Sequence, residues 1–349
     1  MAKYIIKRIL YILLVFLILS FLLFVIYNMI PASKAYAATK AELDATAPAA
    51  RALFNWDDRY YYWQCYYGEN GTIFERYLRW IGLYPFTYYD GTIKFNGMFQ
   101  GNMGLSSVYN KPVIEVIKAP MGNTIFINIF ATILGLGITI PLGIFCAVKR
   151  GSKRDIAVQV FTIIGYSLPV FIIGIVFMFI FSVKLGWFPV SGSHSTFGYE
   201  TWSGWKQFWD RMYFMTLPLI VMTFCSLGGM TRYVRASMID ALSLDCIKTA
   251  RAKGLKEKTV IYSHAFRNAL IPIVTLVIGW FLGIFAGSMM IENIFSLNGI
   301  GQFYYNALTS NDNEVVLALQ MFYIIISLAG NLIIDIAYGF VDPRIRVNK

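Results

Sequence analysis

Residues 231–272 read TRYVRASMIDALSLDCIKTARAKGLKEKTVIYSHAFRNALIP, and the reading of this stretch decides the fold. It is the longest polar, cationic interruption between two apolar runs. It carries eight basic residues (Arg232, Arg235, Lys248, Arg251, Lys253, Lys256, Lys258, Arg267) against three acids (Asp240, Asp245, Glu257). In a membrane protein such an excess marks the cytoplasmic side. The middle has the pattern of a short capped helix. Asp245 stands as an N-cap, offering its carboxylate to the free N–H groups that follow. Gly254 suits the left-handed position just past a helix end. Arg251 and Lys253 fall in the last turn, where the helix dipole favours cations. Cys246, Ala250 and Gly254 are spaced four apart, which predicts one strip of small residues. Two readings follow. The helix is a solvated link between spans, or it is a docking element. In the second reading the strip admits another protein's surface and the flanking bases reach carboxylates on it.

The rest of the chain supplies the spans. Of 349 residues, 57% are hydrophobic and 14% charged, against about 25% charged in a soluble domain. Apolar runs occupy residues 9–30, 123–148, 156–183, 213–230, 269–291 and 315–341, each near or above the ~20 residues needed to cross a bilayer. This predicts an all-α polytopic membrane protein with six transmembrane helices and both termini in the cytoplasm. The net charge of +11 is distributed accordingly. The inner segments hold 18 Lys/Arg and 5 Asp/Glu, the outer segments 12 of each, and Glu292 and Asp335, in or near spans, complete the sum. Basic charge confined to one side is topology and argues against nucleic acid. After the first run, KAYAATKA (residues 34–41) resembles a leader-cleavage site. The apolar run is ~22 residues long, against 7–15 for a cleaved leader, so a retained first span is expected.

Domain boundaries follow as 1–30 (inner tail and first span), 31–118 (external), 119–341 (membrane core, with the cationic loop at 231–268) and 342–349 (inner tail). The external segment is dense in aromatics, as in WDDRYYYWQCYYGENG (residues 56–71). It predicts a small ordered subdomain with a helix at residues 73–81, its rings serving packing or an interfacial belt. In the third span, Pro169 within YSLPVF is expected to break or kink the helix, with the break turned toward the protein interior. In the fifth, Gly279, Gly283 and Gly287 form a small-xxx-small ridge. The cysteines (Cys65, Cys146, Cys225, Cys246) and the two histidines have no metal-like spacing.

The motifs resemble those of ABC-importer permeases. KTARAKG (residues 248–254) looks like the EAA loop of that family. It is closest to the peptide/nickel branch, in which a TARAKGL string is followed by H-x-x-R-N-A-L-x-P, here His264, Arg267, Asn268, Ala269, Leu270 and Pro272. FERYLRWIG (74–82), GNMGLSSVYNKPVIEVI (101–117), ENIFSLNGIGQ (292–302) and DPRIR (342–346) also resemble family segments. Lys248 replaces the acidic start of the general EAA pattern. Asn298 replaces a Pro of the family's E-x-x-F-S-W-P-G-L-G turn, which implies a looser turn. The resemblance implies the type I importer permease fold, with a small external subdomain between the first two helices. It implies a coupling helix seated in a groove of a separate ATPase, with coupling residues Asp245, Lys248, Thr249, Ala250, Arg251, Ala252, Lys253 and Gly254. Ser167, Pro169 and Gly283 are the expected pore-lining residues. The implied partners are a second homologous permease subunit, two ATPase subunits, an external substrate-binding protein and a peptide cargo.

The chain has no G-x-x-x-x-G-K-[ST] string, H-E-x-x-H or G-x-S-x-G, so it is read as a non-enzyme without cofactors of its own. ATP and Mg are expected on the partner ATPase. Competing readings are the same architecture with nickel chelates or another small solute as cargo, an autonomous proton-coupled carrier using Asp335, and a membrane enzyme. Asp335 lies within two turns of the inner end, where pairing with a basic residue or water gives it a structural role.

Overall fold

The computed structural model describes residues 2–29 and 33–341. The DPRIR tail therefore lies outside the described residues. The chain is helical almost throughout. In order come α1 (Ala2–Asn28), α2 (Lys34–Ala45), α3 (Trp56–Tyr67), α4 (Ile73–Ile81), a hairpin of β1 (Phe86–Thr87) and β2 (Ile93–Lys94), then α5 (Val113–Val148), α6 (Lys153–Ser167) and α7 (Val170–Phe177). The remainder is α8 (Gly204–Ser243), α9 (Asp245–Ala252), α10 (Glu257–Thr259), α11 (Phe266–Gly283), α12 (Met289–Ile294), α13 (Ile300–Thr309) and α14 (Asn313–Val341). Among the described residues four helices are long and apolar enough to cross a membrane, and two bent pairs, Lys153–Ser167 with Val170–Lys184 and Glu257–Leu270 with Pro272–Gly283, bring the number to as many as six when each pair is counted as one span.

The chain divides into two compact units. One comprises residues 10–116 and 307–324, the other residues 1–9, 117–306 and 325–349. The first unit thus joins most of α1 and the start of α14 to the aromatic-rich segment, a grouping that sequence boundaries at 30 and 118 do not follow. Within it, Phe21 and Phe24 of α1 meet Tyr77 edge-on, and the Tyr77 hydroxyl lies 2.7 Å from that of Ser20. α4 spans the predicted residues because Thr72 and Glu75 form a reciprocal capping box and Gly82, at φ 95°, ends the helix. Ser33 caps α2, so the cleavage-like string is helix. The rings of α3 pack on one another, Trp63 stacked on Tyr67 and edge-on to Tyr62.

In the second unit α8 is the central element. Its 40 residues span about 60 Å at 1.5 Å per residue, twice the ~30 Å hydrocarbon core. The helix does not stop at Met230. It takes in the first thirteen residues of the cationic stretch. α6 crosses α8 where glycines remove bulk: a Cβ on Gly228 would lie 2.4 Å from the Thr162 carbonyl oxygen, and one on Gly165 2.9 Å from that of Phe224. At the foot of this crossing, Arg235 holds buried Asp155 through two bonds of 2.8 and 2.9 Å, and the carboxylate also accepts from Gly151 N and Gln159 Nε2. In the same unit Arg8 pairs with Asp335. That gives Asp335 the basic partner its position near the inner end allows.

Three expectations are corrected. The glycine ridge of the fifth span does not exist, because α11 ends at Gly283. The chain turns there, and Asn128 Nδ2 takes the Ile284 and Ala286 carbonyls at 3.0 and 2.9 Å. Gly279 and Gly283 face open space, while Gly287 lies against the backbone of Gly301. The break at Pro169 is not turned into the chain's interior, since Ser167, Leu168 and Pro169 are all exposed. The turn at Asn298 is not loose. Asn298 adopts φ 50°, which the ring of Pro forbids. Its N–H donates to Gln302 Oε1 at 2.8 Å, and Asn123 Nδ2 donates to the carbonyls of Leu297 and Asn298.

Candidate functional site

The site grows from the C-terminal end of α8. Leu244 alone, extended at φ −65° and ψ 145°, separates α8 from α9. It ends the first helix and is the N-cap of the second. Asp245 is therefore the first residue inside α9 and not its cap. No side chain caps this end; the Asp245 carboxylate instead accepts from Lys248 Nζ at 2.8 Å, and its carbonyl accepts from Thr249 Oγ1. Its charge still favours the helix N-terminus. The other end matches the sequence reading. Gly254 has φ 75°, its N–H donates to the Arg251 carbonyl and that of Leu255 to the Ala250 carbonyl, the paired bonds of a Schellman closure.

One face of α9 is an anchor. Ile247 and Ala250 are buried in a cluster with Met238 and Ala241 of α8, and with Val260, Ile261 and Ala265 at the entry to α11. The expected strip of Cys246, Ala250 and Gly254 is thereby corrected. Cys246 and Gly254 are exposed, but Ala250 points inward, because Ile247 and Ala250, three apart, share the apolar side of the helix. The outer face presents Asp245, Cys246, Lys248, Thr249, Arg251, Ala252 and Lys253. Its charges are partly spent within the chain. Arg251 grips Glu257 with bonds of 2.7 and 3.3 Å, and that carboxylate pushes the Arg251 guanidinium further above its ordinary pKa. Lys253 has no ion-pair partner among the described residues. Beside α9 runs a groove lined by Tyr233, Ser237, Asp240, Leu244, Asn268 and Pro272. Force applied to α9 therefore reaches α8 across one residue and α11 through packed side chains.

The expected pore residues sit at the ends of helices. Ser167 ends α6 and Pro169 is the N-cap of α7, at a bend of 101°. Gly283 ends α11, its terminal carbonyls met by Asn128. Sequence reasoning missed the polar joints that hold these ends. Glu292, just past the fifth apolar run, is only 2% exposed. It accepts from Thr124 Oγ1 at 2.8 Å and from Gln302 N at 2.9 Å, and Thr124 Oγ1 accepts in turn from Ile300 N at 2.7 Å. Gly299 and Gly301 leave room for this carboxylate. The only signal in the sequence was the glycine pair flanking Ile300.

The sequence is similar to those of known transport proteins. A family model described as "Binding-protein-dependent transport system inner membrane component" matches residues 139–347. The oligopeptide transport system permease protein AppB of Bacillus subtilis (strain 168) is 37% identical over 283 residues, covering 80% of this chain and 82% of that protein. The dipeptide transport system permease protein DppB of Lactococcus lactis subsp. cremoris (strain MG1363) is 32% identical over 282 residues, covering 80% and 83%. A solved structure titled for inward-facing conformations of the MetNI methionine ABC transporter aligns with a TM-score of 0.49 and 17% identity, over 64% of this chain and 96% of that one. With the family model covering more than half of its length, the chain belongs to the binding-protein-dependent transport inner-membrane components, the permeases of ABC importers.

Proposed function

We propose that this chain forms half of the pore of a peptide importer and is driven by a separate ATPase through α9. The observation that carries the reading is the construction of α9. It is a short helix with a polar, exposed outer face, joined to a continuous 40-residue span by one residue and to the next span by packing. A helix held that way transmits displacement and cannot swing freely. When ATP closes the partner dimer, α9 moves with the groove that holds it. α8 and α11 tilt together and reorient the cavity. The coupling residues are Asp245, Lys248, Thr249, Arg251, Ala252, Lys253 and Gly254 on the partner side, with Ala250 acting from the anchored side. Peptides as cargo are supported by the names of the relatives, which are oligopeptide and dipeptide permeases.

In this reading both termini and α9 lie in the cytoplasm, and residues 31–118 lie outside. The chain works with a second permease subunit, two ATPase subunits and an external binding protein. It carries no cofactor itself; ATP and Mg act on the ATPase. Nickel chelates and other small solutes remain the alternative cargo.

The test is purification of the tagged chain from its native membrane in mild detergent, with mass spectrometry of what accompanies it. Recovery of a P-loop ATPase and a second permease is the expected result. Recovery of the chain alone, under conditions where known complexes survive, overturns the assembly. Competition of uptake by di- and oligopeptides then decides the cargo.

A further inference from the structure

Arg232 is the cation whose position the fold leaves unexplained. It lies on α8 just past the apolar run, where an arginine ordinarily reaches toward the nearer aqueous interface. Here it reaches the other way. Side chains on a helix tilt toward its N-terminus, which for α8 is the outer end in the proposed topology. Arg232 follows that tilt: its Nε donates to the Gly228 carbonyl one turn back, at 2.9 Å. Its guanidinium carbon sits 4.7 Å from the centre of the Tyr166 ring. The glycine crossing makes this possible, because Gly228 lets the Tyr166 Cβ approach α8 within the space a side chain would fill.

A guanidinium placed there needs a counter-charge or water. The one carboxylate on α6, Asp155, is engaged by Arg235, Gly151 and Gln159. Among the described residues no acid pairs with Arg232, and no hydrogen bond engages its two terminal nitrogens. Tyr166 beneath it is 61% exposed, and the exposed break at Ser167 and Pro169 follows immediately. A cation on an open aromatic plate, beside a broken span, belongs at the wall of an aqueous passage.

We infer that Arg232, seated on Tyr166 at the break between α6 and α7, meets the C-terminal carboxylate of the peptide cargo in the pore. The inference rests on the peptide reading above. Peptides of every sequence share that carboxylate, so one cation serves a cavity that must accept many side chains.

The test uses the whole importer in proteoliposomes with its binding protein and ATP. One peptide is supplied as the free acid and as the C-terminal amide, and each variant is expressed as a ratio to wild type so that the binding protein's own preference cancels. Arg232→Gln is expected to lower free-acid uptake about tenfold, the scale of one lost hydrogen bond to a charged group, and to leave the amide ratio near one. Arg232→Lys, which keeps the charge but loses the planar stack, is expected to retain most free-acid uptake. Equal loss for acid and amide, or Lys failing as badly as Gln, assigns Arg232 a packing role and overturns the inference. Unchanged free-acid uptake in Arg232→Gln also overturns it. A wild-type importer that moves neither peptide removes the cargo reading itself, a result the variants do not mimic.

Discussion

Two helix breaks in this chain look alike in sequence and are built in opposite ways. At Leu244 one extended residue separates α8 from α9, and both sides of the corner are packed. Ile247 and Ala250 are buried against α8 and the entry to α11. At Leu168 and Pro169 the chain also leaves helix for two residues, but the corner stands exposed and the helices on either side diverge by 101°. The first break lies beyond the apolar run of α8, in the cationic stretch, and it is packed all the same. The second lies within a span, where freed groups must meet protein or water, and this chain leaves it open. Burial stiffens the first corner, and exposure leaves the second accessible.

The comparison breaks first at the roots of the two corners. Asp155→Ala would leave the Arg235 guanidinium without its bidentate partner, a change expected to cost about 3–5 kcal/mol. It should lower the melting temperature of the purified permease and loosen α6 from α8. A melt indistinguishable from wild type would mean that the glycine crossing alone holds the open corner. Ile247→Ala attacks the packed corner from inside and should cost about 2–4 kcal/mol. It leaves every exposed residue of α9 in place, so the expected phenotype is ATP hydrolysis that no longer drives uptake. Retained coupling would show that α9 does not need its anchor.

Smaller effects sharpen the picture. Gly254→Val forces a β-branched residue to φ 75°, costing about 1–2 kcal/mol, yet its side chain would meet nothing within the chain. Transport should fall more than insertion or abundance does, and normal uptake with full ATPase coupling would remove α9 as the docking element. Arg251→Gln deletes an exposed pair with Glu257. Its effect on the melt should stay below about 1 kcal/mol, so any large loss of uptake from it reports contact with the ATPase and not folding.

Much of α9 was legible before any coordinates. Its existence, its end at Gly254 and its basic charge follow from local rules, because a left-handed cap and a basic last turn depend on neighbours in sequence alone. Its start was misread. Asp245 has the chemistry of an N-cap, but α8 runs to Ser243 and leaves Leu244 as the one residue free to be extended. Its faces were misread too. A spacing of four between small residues says which side chains can align, and it does not say which side meets the core.

What the sequence determined by itself is the set of apolar runs, the helix break at Pro169, the clustering of basic charge and the family. Each of these is written in composition or in contiguous motifs. Tertiary structure decided which face of α9 is anchored, that Glu292 is buried on Thr124, that Asn128 closes the end of α11, and that Arg232 lies over Tyr166. Each of these depends on a second segment far away in the chain: α5 meeting the turn after α11, or α6 crossing α8 at Gly228. Periodicity within one segment carries no record of what the other segment brings.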